Sequence, residues 1–93
     1  MKKIINGKKY DTETATFIFT LTNWDCSVSY EQVEHFYKKK TGEFFRYDQK
    51  KTNWGNIHEY ETIIPLTIGE AQRQLENYMS VAKYESIFGE VEE

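Results

Sequence analysis

A single cysteine, Cys26, leaves this 93-residue chain without an internal disulfide, which fits a reducing compartment. The single proline, Pro65, lacks a ladder donor, so a strand that holds it lies at a sheet edge or ends there. No run approaches the roughly 18 apolar residues that a membrane span needs. After Lys2-Lys3 only Ile4-Ile5 precedes polar residues, too little for the apolar region of a secretory signal, so the expectation is a cytoplasmic protein without membrane association. A phosphate loop, a dinucleotide fingerprint and a glycine elbow around serine or cysteine are all missing. Only His35 and His58 are present to serve as bases, and the expectation is that the chain is not an enzyme. The carboxylate pairs Glu31/Glu34 and Glu59/Glu61 read as solvated surface in a chain with fifteen acids.

What the chain does have is aromatic residues, 16% of the total, which bury large areas with few side chains. Its length predicts one α+β domain over 1–93, too short for two independent cores. The net charge of −3 is unevenly spread. Residues 1–54 carry ten Lys/Arg against seven Asp/Glu, whereas residues 55–93 carry two against eight.

Asn6-Gly7 supplies two residues tolerant of positive φ between Ile4-Ile5 and Lys8-Lys9-Tyr10, the signal for a short hairpin. Phe17, Phe19 and Leu21 alternate with Ile18, Thr20 and Thr22 as in a strand, and Asn23 to Ser27 reads as a loop. Val28 to Lys40 and Glu43 to Asp48 predict a second hairpin around Thr41-Gly42. If those two residues form the loop, Phe36 faces Tyr47 and Tyr37 faces Arg46, and a one-residue change in loop length swaps the faces. Gln49 to His58 reads as an exposed connection carrying Trp54, and Tyr60 to Leu66 as the last strand. Thr67 and Glu70 have capping-box spacing ahead of a helical stripe of Ile68, Ala71, Leu75, Tyr78, Met79 and Ala82, with Gly89 as the stop and Ile87 and Phe88 out of phase. The expected architecture is α+β: an antiparallel sheet of about five strands packed by one C-terminal helix.

Three constellations bear on function. Glu59, Glu61, Glu70, Glu76, Glu85, Glu90, Glu92 and Glu93 would present a negative surface to a basic groove on a partner protein. Lys38, Lys39, Lys40, Arg46 and Tyr47 combine charge with rings, the pairing that single-stranded nucleic acid requires. Cys26, His35 and His58 include metal-ligating types without the short spacing of a zinc knuckle or finger; the expectation is no cofactor, with structural zinc as the weaker alternative. Both monomer and dimer stay open.

The opening Lys3-Ile4-Ile5-Asn6-Gly7-Lys8-Lys9-Tyr10-Asp11-Thr12-Glu13-Thr14-Ala15 resembles that of small proteins carried by phages and mobile elements of Gram-positive bacteria. The run from Phe36 to Phe45 and the passage Ile63-Ile64-Pro65-Leu66-Thr67, with Glu70-Ala71, are similar too. The resemblance implies shared architecture, and a place among small acidic proteins that include anti-CRISPR inhibitors. Such inhibitors bind RNA-guided nucleases and block guide or target loading. The implied partner is therefore a host defence protein, a type II CRISPR effector, in a bacterial cytoplasm. The glycine-rich loop of many relatives is replaced here by Asp48 to Asn56. Direct nucleic-acid binding through the basic aromatic hairpin is the alternative.

Overall fold

Asn6 and Gly7 take φ values of 51° and 75°, the left-handed pair that joins two twisted strands in a two-residue turn. They connect β1 (Lys2–Ile5) to β2 (Lys8–Asp11), with Ile5 opposite Lys8. The computed structural model describes residues 1–25, 30–52 and 57–89, and the side chains of 1–22, 31–50 and 61–89. Beyond β2 the buried Asp11 organises a turn: its carboxylate accepts from the Glu13 amide at 2.9 Å and its carbonyl from the Ala15 amide at 3.1 Å. The chain then forms β3 (Thr16–Asp25), β4 (Tyr30–Lys38), β5 (Phe44–Thr52) and β6 (Ile57–Leu66). These make one antiparallel sheet in the order β3-β4-β5-β6. The fold is α+β as the patterning predicts, with sheets of two and four strands where about five strands in one sheet were expected.

Strand ends differ from the sequence expectation as well. The strands reach Asp25 and Thr52, and β6 begins at Ile57, so much of the expected loop at 23–27 and connection at 49–58 is ladder. Cys26 and Trp54 lie outside the described residues. The β4–β5 register is offset by one from the two-residue-loop pairing: Phe36 faces Arg46 and Tyr37 faces Phe45. Its cause is the turn. Gly42 donates to the Lys39 carbonyl at 2.9 Å, the Lys39 amide donates to the Glu43 carbonyl at 2.7 Å, and Gly42 sits at φ 95°. That leaves Lys40, Thr41 and Gly42 as a three-residue loop, a length that places glycine at the left-handed position.

Phe44 and Phe45, adjacent in β5, point to opposite faces of the sheet. Phe44 joins Ile18, Phe36, Leu66, Ala71 and Leu75 under the helices. Phe45 joins Tyr10 and Ile63 under the β1–β2 hairpin, with Ile5, Ala15, Tyr37 and Tyr47 half-buried around them. The result is three layers, hairpin on sheet on helices. Full burial of each large side chain is worth about 1.5–3 kcal/mol.

Two short helices, α1 (Ile68–Leu75) and α2 (Val81–Phe88), replace the single helix expected. The capping box forms: the Glu70 amide donates to Thr67 Oγ1 at 3.1 Å and the Thr67 amide to Glu70 Oε1 at 2.9 Å. A second cap restarts the chain at Ser80, whose Oγ accepts from the Lys83 amide at 3.2 Å. The break explains the phase mismatch. On one straight helix Ile87 would sit about 160° from Ala71, whereas α2 returns Ile87 and Phe88 to the same core, with Phe88 stacked on Phe44 at 5.2 Å. Of the predicted stripe, Ala71 and Leu75 are buried, while Ile68 and Tyr78 are each 57% exposed. Gly89 closes α2 at φ 92°, donating to the Glu85 carbonyl at 2.8 Å.

Candidate functional site: a surface of two signs

The layering spreads the charges of the sequence over two faces, with both signs on each. Lys8 Nζ lies 3.2 Å from Glu43 Oε2, which sets the tip of the β1–β2 hairpin beside the β4–β5 turn. Lys9, Lys39 and Lys40 then line one cleft of about 140 Å³, with Asp11, Thr14 and Thr41. Lys39 Nζ is 4.4 Å from the Tyr10 ring centroid and 3.5 Å from Glu43. Hydrogen bonding from Lys8, aided by the charges of Lys39 and Lys8, holds the Glu43 carboxyl below its ordinary range. Lysines some thirty positions apart thus share a corner.

Of the basic aromatic set, only Lys39 and Lys40 belong to that corner. Lys38 turns to the helix side, 5.6 Å from the Phe44 centroid and beside a cleft that Lys83 also lines. The hairpin rings are core: Phe44 and Phe45 are buried, and Tyr37 stacks on Phe45 at 5.2 Å. Lys8 and Lys9 were missed as site residues, although lysines flanking Asn6-Gly7 are a readable sign that this turn carries charge.

Arg46 is engaged on the helix side. Its Nε donates to Asp48 Oδ1 at 2.7 Å, its Nη2 to Asp48 Oδ2 at 2.9 Å, and its Nη1 to Gln74 Oε1 of α1 at 2.7 Å. Glu34 Oε2 lies 3.0 Å from Nη1. Residues two apart in a strand share a face, so Arg46 and Asp48 meet by register alone. The network floors a shallow cleft of about 350 Å³ that Arg73, Asn77 and Tyr78 also line.

On the hairpin side, beyond the ring cluster, a polar row crosses the sheet. Thr20 Oγ1 is 2.9 Å from His35 Nδ1, His35 Nε2 is 3.0 Å from Gln49 Oε1, and Gln49 Nε2 donates to Glu61 Oε1 at 3.5 Å. Both ring nitrogens of His35 are therefore occupied by protein partners. Cys26 and the His58 side chain lie outside the described residues, among which no three His, Cys, Asp or Glu side chains gather as metal ligands. Tyr47 ends the row, stacked on His35 at 5.7 Å. Burial first, then the Glu61 carboxylate beside it, pushes its phenol up to about 12 from 10.0. The folded state holds the neutral phenol, so its contribution is complete below pH 10.0 and is lost as pH rises toward about 12. In a phenolate absorbance titration of the folded protein, Tyr47→Phe is expected to remove one phenolate from the step near pH 12.

The described members of the expected acidic set divide between two faces. Glu70, Glu76 and Glu85 ride on the helices, and Glu61 lies on the hairpin face of β6, opposite Gln49. Hydrogen bonds with Thr67, backbone first, hold the Glu70 carboxyl below its ordinary range. Glu76 is exposed. Glu90, Glu92, Glu93 and the Glu59 side chain lie outside the described residues. Comparisons with protein-family models, with curated proteins and with solved structures found no match to this chain.

Proposed function

We propose that the chain is a non-enzymatic inhibitor from a phage or mobile element that binds a host defence protein. The partner is a type II CRISPR effector nuclease, and the effect is to deny it nucleic acid. One observation supports this reading: Glu70, Glu76 and Glu85 are carried by the helical layer, across the sheet from the lysine-bearing hairpin, so the N-terminal lysines do not pair with them. Residues 67–93 hold six glutamates against Arg73 and Lys83. An acidic segment of this kind is attracted to the cationic channel that holds the guide–target duplex in such nucleases. The resemblance of the opening, the second hairpin and the capped-helix entry supports the same class.

The test is DNA cleavage by purified effector with the protein added before or after guide loading. Reversing Glu76, Glu92 and Glu93 to lysine together is expected to weaken inhibition at least tenfold, mainly through slower association. An effector that neither binds the protein nor loses cleavage overturns the reading.

The lysine corner favours a second reading, direct binding of nucleic-acid phosphates by Lys8, Lys9, Lys39 and Lys40. Capture from a bacterial lysate that vanishes on nuclease digestion supports it, and nuclease-resistant capture supports the inhibitor. Under the second reading, Lys9→Gln lowers the salt slope of binding by about 1.

A further inference from the structure

The two outer strands of the four-stranded sheet are built differently. β6 carries devices that blunt an edge: Pro65, which has no amide hydrogen to offer, the exposed carboxylate of Glu61, and Glu59 in its sequence. β3 carries neither charge nor proline nor glycine from Thr16 to Trp24. Its run of threonine, phenylalanine, isoleucine and leucine has the composition of a paired strand. Phe17 is 54% exposed, and Thr16 and Thr22 are exposed beside it. The only irregularity is a bulge between Phe17 and Phe19, and from Phe19 to Asp25 the ladder with β4 runs without a shift. A long, neutral, regular edge that pairs on its outer side with no strand among the described residues is a template for another strand.

We propose that the occupant is a second copy of this chain, with β3 pairing antiparallel to β3 of its partner about a two-fold axis at Thr22. Three points single out self-pairing. The midpoint of the regular segment Phe19–Asp25 is Thr22, and pairing centred there sets Thr22 opposite Thr22, Leu21 opposite Asn23, and Thr20 opposite Trp24. No like charges meet, because the run is neutral up to Asp25, which falls at the end of the pairing. The interface is isologous and closes on itself: one β3 edge consumes the other, and the outer edges of the joined eight-stranded sheet are the two blunted β6 strands. Assembly stops at two.

Sedimentation equilibrium over a dilution series, with hydrogen exchange read strand by strand, tests this. The expected species has twice the 11.1 kDa chain mass, with β3 amides protected to the level of the central strands. Thr22→Lys sets two ammonium groups opposite each other and is expected to return the mass to a single chain. It should release protection in β3 and leave β4 and β5 unchanged. Thr22→Val keeps the strand preference and is expected to stay dimeric. A single-chain mass at every concentration overturns the proposal, whether β3 amides exchange freely or are covered by the chain's own residues. So does a dimer that survives Thr22→Lys, or an assembly that grows beyond two. The wild-type mass and exchange decide the matter even if the lysine variant fails to fold.

Discussion

Phe45→Ala is expected to cost about 3–5 kcal/mol of folding free energy, out of the roughly 5–15 kcal/mol that holds a typical domain folded. Phe45 is fully buried. Its ring lies 5.2 Å from Tyr37, nearly parallel at 9°, and 5.5 Å from Tyr10 at 79°, so it is a central contact through which the β1–β2 hairpin grips the sheet. A two-stranded hairpin is marginal on its own in water. Removing the ring therefore leaves a cavity and also frees the layer above it. Urea unfolding should show the midpoint dropping sharply, with hydrogen exchange in β1 and β2 accelerating ahead of the central strands. Phe17→Ala is the control: its ring is 54% exposed, and the change should move stability by well under half as much. Equal costs at the two positions would mean that the hairpin does not depend on Phe45.

The features legible in the sequence are those decided within a few residues. Asn6-Gly7 turns because those two residues tolerate the φ the turn demands, Thr67 and Glu70 cap because their spacing lets each reach the other's amide, and Gly89 stops α2 because it can enter the left-handed region. Pro65 sits on an outer strand for want of a ladder donor. The β4–β5 register was not legible, since a loop of two or three residues around Gly42 suits the same sequence and only cross-strand packing chooses. Nor was the second helix, where Ser80 competes as a cap with continuation of the apolar stripe. The candidate site is the least local feature. That Lys9 meets Lys39 and Lys40 follows from the hairpin folding over the sheet, and no pattern within either segment encodes it.

The second large effect belongs to Arg46, which the sequence pattern grouped with the nucleic-acid-binding lysines. Arg46→Met is expected to cost about 3–5 kcal/mol, because the loss leaves the Asp48 carboxylate uncompensated under the helices and takes a partner from Glu34. The Asp48 side chain is 3% exposed and both its oxygens rest on the guanidinium, so water cannot replace the lost partner. Arg46→Lys should recover only part of the loss, since a single ammonium cannot reach both Asp48 oxygens, Glu34 and Gln74 in the planar fork that arginine presents. Replacing the three charges together, Arg46→Met with Asp48→Leu and Glu34→Gln, is expected to recover more than the lysine variant. A buried pair replaced by well-packed apolar groups is often neutral, whereas a broken one is costly. Denaturant midpoints rank the three variants. The same Arg46→Met protein separates structure from recognition: at temperatures where it stays folded, the salt slope of any nucleic-acid binding should match wild type. A lower slope would return Arg46 to the phosphate-contacting set, and an unchanged one leaves the lysine corner as the cationic surface.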